Sequence, residues 1–290
     1  MAGGVQNFVG VLGWPLTHTL SPTIHNAAFR RLGFDWAYLA FPVPPEQLEQ
    51  AIGGLRALGA IGANVTIPHK ETVIAHLDQL SGDAAAIGAV NTIQRIGDRL
   101  IGHNTDVDGF REFMGGDAGI RVAGLSAVVL GAGGAARAVV KALDDLGAAS
   151  ITIVARSSER GAALTELVGR ASASVESWSL ATELAGQADV VVNATPLGGH
   201  GDDPVPNAAW HPGQAVVDLV YSPPSTPLVE AARRAGADAW GGLGMLVRQA
   251  AASFQVWTGQ DPPLEVMSAA AVHAIGPSGS TRTSGLPKKD

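Results

Sequence analysis

The sequence of 290 residues contains no cysteine. This excludes disulfide bonds, a thiolate nucleophile and thiolate metal ligands, and it is typical of proteins in a reducing compartment. No apolar run approaches the roughly 20 residues that a membrane helix requires. The start of the chain has neither the basic region nor the long apolar region of a secretory signal. We therefore predict a cytoplasmic protein that does not enter a membrane.

Positive charge is also scarce. Lysine and arginine number 19 against 26 aspartates and glutamates, a formal net charge of -7, so we expect no nucleic-acid partner. The eight histidines show no ligand spacing. A calcium-like run from Asn104 has Gly115 where a bidentate glutamate is required. The sequence predicts no metal site, and it lacks the G-x-S-x-G motif of many hydrolases.

Short apolar segments alternate with amphipathic ones along the chain. The composition, 46% hydrophobic and 16% charged, allows a sizeable core, and the length suits about two domains. The stretch SPTIHNAAFRRLG indicates a helix with Ser21 as N-cap, Pro22 at its first position and Gly33 at its C-terminal end. Repeated alternation of strand and helix signals predicts an α/β fold.

A second unit begins near residue 107 and contains the motif GAGGAARA. Gly131, Gly133 and Ala136 match G-x-G-x-x-A directly after an apolar strand and at the start of a helix. Such glycines allow a tight turn and let backbone N–H groups approach a pyrophosphate at the positive end of the helix. Because both flanking elements are visible in the sequence, the motif predicts dinucleotide binding.

The strand that follows the glycine turn ends at two arginines. NAD enzymes usually place a carboxylate there, on the ribose 2′-hydroxyl, whereas the guanidinium groups of Arg156 and Arg160 suit a 2′-phosphate. The sequence therefore favours NADP over NAD, and only Glu159 points the other way. The parallel pattern continues to about residue 240. Residues 276–290 are rich in glycine, serine and proline, and we predict a disordered tail.

The stretch NVTIPHKETV, residues 64–73, indicates a strand that ends at a proline. Side chains alternate along a strand, so Asn64 and Thr66 share one face, Val65 and Ile67 the apolar one, and Lys70 follows. Other polar residues beside predicted elements are Thr19, Ser21, Asn91 and Asp106. Taken singly, each has an ordinary explanation as a helix cap, a turn residue or a solvated lysine.

Taken together, these segments resemble the shikimate dehydrogenases of aromatic amino acid biosynthesis. The resemblance runs to about residue 275 through GWPLTHTLSPTIHN, NVTIPHK, GAVNTI, HNTDVDGF, GAGGAARA, ARSSER, NATPLG, DLVYSP and GMLVRQAA. It implies reversible reduction of 3-dehydroshikimate to shikimate by NADPH, in a monomer or homodimer. It also implies an α/β substrate domain, residues 1–106 and 243–275, a Rossmann-type NADP-binding domain, residues 107–242, and an active site in the cleft between them.

The resemblance also assigns roles to individual residues. Lys70 and Asp106 resemble the catalytic pair, and Gly242 resembles the position whose backbone approaches the nicotinamide. The residues that resemble substrate-binding positions are Thr19, Ser21, Asn64, Thr66, Lys70, Asn91, Asp106, Tyr221 and Gln249. The residues that resemble cofactor-binding positions are Gly131, Ala132, Gly133, Gly134, Ala135, Arg156, Ser157, Arg160, Asn193, Thr195 and Gly242.

The residue types of the implied catalytic pair suit this reaction. Hydride delivery to a ketone builds alkoxide character on its oxygen, which requires a proton donor and a positive field. Lys70 can supply both, and Asp106 can hold the ammonium in place and complete a proton path. The sequence leaves open which of the two passes the proton, because a coupled pair titrates as a pair.

Two positions depart from the usual pattern of the family. Thr19 stands where a serine is usual, so an extra methyl faces the expected carboxylate site. The cofactor loop reads Ala155, Arg156, Ser157 where N-R-T is usual. Because of these two departures, the alternative function is that of a quinate or aminoshikimate dehydrogenase that uses NAD, either alone or in addition to NADP. A non-catalytic NADP-binding module is the alternative of another class, and the presence of both Lys70 and Asp106 argues against it.

Overall fold

The computed structural model describes residues 7–16 and 19–276, so nearly all of the predicted tail lies outside the described residues. The described residues form twelve strands and ten α-helices. The strands are β1 (Asn7–Gly13), β2 (Trp36–Pro42), β3 (Gly62–Val65), β4 (Gln79–Leu80), β5 (Thr92–Ile96), β6 (Arg99–His103), β7 (Ser126–Leu130), β8 (Ser150–Ala155), β9 (Ser172–Ser177), β10 (Val190–Asn193), β11 (Ala215–Asp218) and β12 (Asp238–Trp240). The helices are α1 (Ser21–Leu32), α2 (Leu48–Ala57), α3 (Gly82–Ile87), α4 (Asp106–Glu112), α5 (Gly134–Asp145), α6 (Ser158–Thr165), α7 (Ala181–Ala185), α8 (Pro227–Arg234), α9 (Leu243–Thr258) and α10 (Leu264–Ile275).

The strands form two six-stranded sheets, which confirms the predicted α/β class. The first sheet has the order β2-β1-β3-β5-β6-β4. Its strand β1 pairs in parallel with β2 and β3, whereas β5 is antiparallel to both β3 and β6. The mixed pairing directs β3 and β5 in opposite senses. The residues just after β3 therefore lie near those just before β5.

The second sheet has the order β12-β11-β10-β7-β8-β9, and all of its pairs are parallel. Counted from β7, this is the order 3-2-1-4-5-6 of the dinucleotide-binding fold. The order reverses between β7 and β10, and ligands of such sheets bind outside the carboxyl ends of the strands at that point. The glycine turn follows β7, so it lies at this crevice.

Helix α4 joins the two sheets. Val107 and Phe110 of this helix are fully buried in the core that α5 and β7 form, and the helix also packs along α9. Helices α9 and α10 return to the first sheet, where Phe254 and Met267 pack with Val9 of β1. Asp106, the first residue of α4, consequently lies at the junction of the two halves.

Two local predictions from the sequence are wrong. Helix α1 has Leu20 rather than Ser21 at its N-cap, and Ser21 is the buried first residue of the helix. Ile67 is exposed, because β3 ends at Val65 and the chain turns there, with the His69 N–H donating to the carbonyl of Thr66 at 2.9 Å. The predicted C-terminal end of α1 is confirmed, since Gly33 adopts the left-handed conformation with φ of 72°.

His25 lies in the core of the first sheet. Its ring stacks on Tyr38 at 4.5 Å between centroids, and neither ring nitrogen has a hydrogen-bond partner. Burial lowers the pKa of His25 to about 3. Since the unfolded chain would bind a proton there near pH 6.5, the unfolded state binds more protons between these values. Stability should therefore fall as the pH decreases from 6.5.

We expect the His25→Leu variant to lose part of this acid sensitivity. Between about pH 6 and pH 4 the contribution of one buried neutral histidine is about 1.4 kcal/mol per pH unit. Urea unfolding at several pH values measures the slope of the unfolding free energy, which should be shallower by about one proton in the variant. The variant of the exposed His273, His273→Leu, should keep the wild-type slope. Equal slopes for wild type and His25→Leu would contradict the assignment.

Candidate active site

Lys70 and Asp106 form an ion pair where the two sheets meet. The Nζ atom of Lys70 lies 2.7 Å from Oδ2 of Asp106, and only 15% and 7% of their side chains are exposed. Lys70 follows the turn after β3, and its carbonyl accepts a hydrogen bond from the Val90 N–H at 2.8 Å. The structure thus brings together the two residues that the resemblance assigns to catalysis.

The amide of Asn91 holds the other oxygen of Asp106. Its Nδ2 atom donates to Oδ1 of Asp106 at 2.9 Å, while its Oδ1 atom accepts from the Thr105 N–H at 2.8 Å and from the Thr92 hydroxyl at 3.0 Å. These two donors fix the orientation of the amide, so its NH₂ group must face the carboxylate. Oε1 of Gln249, on α9, lies 3.4 Å from the same Nδ2 atom.

Asn64 lies beneath this pair rather than open to it. Its Nδ2 atom is within 2.9 Å of both the Thr92 and the Ser253 hydroxyls, and its Oδ1 atom accepts from the Tyr38 hydroxyl at 2.7 Å. Only 6% of Asn64 is exposed. Its polar atoms are satisfied inside the protein, so the structure gives Asn64 a supporting position, and its predicted substrate contact stays a prediction.

Sequence analysis missed a buried hydroxyl cluster under the site. Thr92, Thr105 and Ser253 lie within 3.3 Å of one another through their hydroxyl oxygens. A signal was present for Ser253, because it follows Gln249 by four residues and therefore shares its face of α9. The two threonines were directly next to predicted site residues, Asn91 and Asp106.

The remaining predicted substrate residues come from separate segments of the chain. Oγ1 of Thr19 accepts from the Ser21 N–H at 3.3 Å, and Thr66 is half-buried beyond the end of β3. Tyr221 comes from the loop after β11 of the second sheet, and burial raises the pKa of its hydroxyl.

The glycine turn lies directly against the lysine. Gly131 has φ of 109°, a conformation that favours glycine, and Gly133 is the N-cap of α5. A Cβ at Gly134 would lie 3.1 Å from both Cβ and Cδ of Lys70, so the lysine stem passes close to the start of this helix. Ala132 and Ala135 occupy the same turn and are half-buried.

The N-terminus of α5 fits the pyrophosphate of a dinucleotide. Gly133 supplies no side-chain cap, so the first N–H groups of this 12-residue helix keep their capacity for a ligand. Arg156 is exposed beyond β8 and makes no hydrogen bond or ion pair with the described residues. Ser157 caps α6 by accepting from the Arg160 N–H at 3.3 Å. Arg160 itself pairs with Glu71 at 3.0 Å.

The side chains of two predicted cofactor residues, Asn193 and Thr195, make hydrogen bonds within the protein. The Asn193 side chain is fully buried and donates to Oδ1 of Asp218 at 2.8 Å, and its Oδ1 atom accepts from the Thr195 hydroxyl at 2.7 Å. These bonds hold the loop after β10, so neither side chain is aimed outward as a free donor. Gly242 is the N-cap of α9, and its N–H donates to the carbonyl of Val220 at 3.0 Å.

Residues 7–16 and 19–276 contain neither a metal-binding cluster nor a membrane-spanning helix. These residues contain no group of three or more histidine, aspartate or glutamate side chains arranged to hold a metal ion. No helix in the same ranges has both the length and the apolar character needed to cross a bilayer.

The fold and the site define a class of protein, the two-domain dehydrogenases that use a nicotinamide dinucleotide. Three family models match the chain: "Shikimate dehydrogenase substrate binding domain" over residues 11–93, "Shikimate / quinate 5-dehydrogenase" over residues 117–198 and "Shikimate 5'-dehydrogenase C-terminal domain" over residues 242–272. The Shikimate dehydrogenase (NADP(+)) of Methanothermobacter thermautotrophicus is 44% identical over 274 residues, which are 92% of this chain and 96% of the relative. The chain belongs to the shikimate dehydrogenase family.

Solved structures agree with this assignment. Shikimate 5-dehydrogenase of Thermus thermophilus, in complex with NADP(H) and shikimate, superposes with a TM-score of 0.83 at 38% identity, covering 91% of this chain and 98% of that one. The quinate dehydrogenase of Corynebacterium glutamicum in complex with NAD has a TM-score of 0.82 at 29% identity, with the same coverage. The structures similar to this chain therefore include a shikimate dehydrogenase with NADP(H) and shikimate and a quinate dehydrogenase with NAD.

Proposed function

We propose that this protein catalyses the reversible NADPH-dependent reduction of 3-dehydroshikimate to shikimate, a step of aromatic amino acid biosynthesis. The observation that carries the proposal is the contact between the buried Lys70–Asp106 pair and the start of α5 at Gly134. It supports a proton donor placed next to the turn that binds the dinucleotide. The NADP-dependent relatives, 44% identical in one case, support the same substrate and cofactor.

The proposed chemistry assigns one task to each residue of the pair. When bound, NADPH supplies the hydride. The ammonium of Lys70 donates a hydrogen bond to the substrate carbonyl oxygen and stabilises the negative charge that develops there. Asp106 holds the ammonium in place through the contact of 2.7 Å, and Asn91 in turn donates to the second oxygen of Asp106 at 2.9 Å. Proton transfer then proceeds through the Lys70–Asp106 pair.

The substrate contacts are part of the proposal. We assign these contacts to Thr19 and Ser21 at the start of α1, to Thr66 after β3, to Gln249 of α9 and to Tyr221 of the loop after β11. Hydroxyl and amide groups in this arrangement suit a polyol acid, whose oxygens would otherwise lose their water partners when bound. The contact of Oε1 of Gln249 with Nδ2 of Asn91 at 3.4 Å supports a position of Gln249 beside the catalytic pair.

The domain bounds are also proposed. Packing of α9 and α10 on β1 and α1 supports a discontinuous substrate domain of residues 1–106 and 243–275. The parallel sheet from β7 to β12 supports a cofactor domain of residues 107–242. The cytoplasmic location and the monomeric or homodimeric state stay predictions.

A second candidate substrate is quinate, or an amino analogue of shikimate. The similarity to the quinate dehydrogenase that binds NAD favours it, at 29% identity, and Thr19 adds a methyl near the expected carboxylate site. Steady-state rates with shikimate and quinate, each with NADP and with NAD, distinguish the candidates. We expect the highest kcat/KM for shikimate with NADP. A higher value for quinate with NAD would replace the proposal, and no turnover in any pairing would favour a non-catalytic module.

The Thr19→Ser variant tests the substrate end of the site. We expect it to stay active and mainly to change the ratio of kcat/KM for shikimate and quinate, because one methyl group contributes only about 1 kcal/mol. Thr165→Ser, in α6 and outside the site, is the matched control and should leave the ratio unchanged. Loss of activity on both substrates would show that Thr19 does not occupy the position proposed for it.

A further inference from the structure

One ion pair joins the catalytic side of the site to the cofactor side. Glu71 directly follows Lys70, and its Oε1 atom accepts from Nη2 of Arg160 at 3.0 Å. Arg160 lies in the first turn of α6, after β8 of the second sheet. The sequence predicts that this arginine and Arg156 bind the 2′-phosphate of NADP, the cofactor of the proposed function. A carboxylate of the protein therefore already holds one of the groups that the phosphate needs.

A second arginine borders the same carboxylate. Nε of Arg137 lies 3.9 Å from Oε2 of Glu71, and this Nε atom is buried without a hydrogen-bond partner. Nη1 of Arg137 donates to the carbonyl of Ile87 at 2.7 Å, which anchors the guanidinium. Glu71 thus lies between a fixed guanidinium and the largely exposed one of Arg160. If Arg160 turns away, the carboxylate keeps a cationic neighbour and is not left unpaired.

We propose that Glu71 is a specificity-determining residue that competes with the 2′-phosphate of the cofactor for Arg160. This inference rests on the proposed function. When the phosphate binds, Arg160 exchanges the carboxylate of Glu71 for the phosphate, and Glu71 stays with Arg137. A cofactor without the phosphate leaves the pair intact. Glu71 therefore weakens NADP binding and leaves NAD binding almost unchanged. It thereby reduces the preference of the protein for NADP over NAD.

The direction in which Glu71 changes the affinity for the 2′-phosphate follows from charge alone. Glu71 withdraws a cation from the phosphate site and also places a negative charge near a dianion, and both effects oppose phosphate binding. The size is limited, because 58% of the Arg160 side chain and 38% of that of Glu71 are exposed. Exposed pairs of this kind are weak, which corresponds to a change of about two- to fivefold in affinity. Added salt should reduce the effect.

Calorimetric titration of the purified protein tests the inference without turnover. The probes are adenosine 2′,5′-bisphosphate and 5′-AMP, which differ in the phosphate, followed by NADPH and NADH. We expect Glu71→Gln to bind the bisphosphate and NADPH about two- to fivefold more tightly, and to bind 5′-AMP and NADH as the wild type does. Glu159→Gln, which removes the same charge beside Arg160 without breaking the pair, is the matched control and should change affinity less.

A double-mutant cycle with Arg160→Ala identifies the partner. In that background Glu71→Gln should lose most of its effect, because the competition requires the guanidinium. Unchanged or weaker bisphosphate binding by Glu71→Gln would overturn the inference, as would an equal gain from Glu159→Gln or a full gain in the Arg160→Ala background. If Arg160→Ala itself leaves bisphosphate affinity at the wild-type value, Arg160 does not bind the phosphate and the inference fails, whereas the proposed function fails only if shikimate with NADP is not the preferred pairing in the steady-state comparison. The two failures are therefore distinguishable.

Discussion

Replacing Lys70 by alanine should lower kcat by about 10²- to 10⁴-fold, the usual contribution of general acid catalysis. The affinity for shikimate should stay within about an order of magnitude, because binding is shared among several other hydroxyl and amide groups. The ammonium matters most when charge develops on the carbonyl oxygen, so its loss raises the barrier more than it weakens the ground-state complex.

The measurement for this variant separates kcat from the dissociation constant of shikimate. Steady-state kinetics gives the first, and titration of the binary complex gives the second. Lys141→Ala is a matched control, since Lys141 pairs with Asp145 on α5 away from the catalytic pair, and it should keep the wild-type kcat. Wild-type turnover by Lys70→Ala would remove Lys70 from the mechanism. A loss confined to shikimate affinity would make Lys70 a binding residue only.

Replacing Arg156 by alanine should raise the KM for NADPH by about 10- to 150-fold and hardly affect NADH. A charge-assisted hydrogen bond contributes roughly 1.5 to 3 kcal/mol, which is this range at about 1.4 kcal/mol per decade. Arg156 is exposed and unpaired among the described residues, so it can turn toward a phosphate without breaking another contact. Exposure also means that salt should weaken the preference of the wild type for NADPH.

Arg160 determines where in this range the single variant falls. If it shares the phosphate, Arg156→Ala gives the low end and the double variant with Arg160→Ala gives the full effect. The control variant is Arg170→Ala, because Arg170 is exposed and lies in the connection between α6 and β9. It should bind both cofactors as the wild type does. Equal losses with NADPH and NADH would mean that Arg156 supports the loop instead of the phosphate.

The sequence was sufficient to predict the features that depend on local patterns. The glycine turn stands between a strand and a helix that are both visible in the sequence, so the turn and the parallel sheet could be predicted from spacing alone. Lys70 and Asp106 could be assigned only through the motifs of a family. No local pattern shows that residues 36 positions apart form an ion pair.

Contacts between distant segments could not be predicted. Asn64 meets Ser253 across 189 positions, and this contact, with those of Tyr38 and Thr92, turns its amide into the protein interior. The pair of Glu71 with Arg160 spans 89 positions and joins two sheets. Alternation along β3 correctly indicated a polar side for Asn64, but burial depends on what the fold packs against that side. The same reason explains Ile67, which is exposed because the chain turns after Val65.

Isotope transfer tests the central claim most directly. The protein is incubated with 3-dehydroshikimate and NADPH that carries deuterium at the transferable position of the nicotinamide, and the product is examined by mass spectrometry and NMR. The account predicts shikimate with one deuterium on the new carbinol carbon, formed quickly by the wild type and slowly by Lys70→Ala. Absence of product, or shikimate without deuterium at that carbon, would contradict direct hydride transfer at this site.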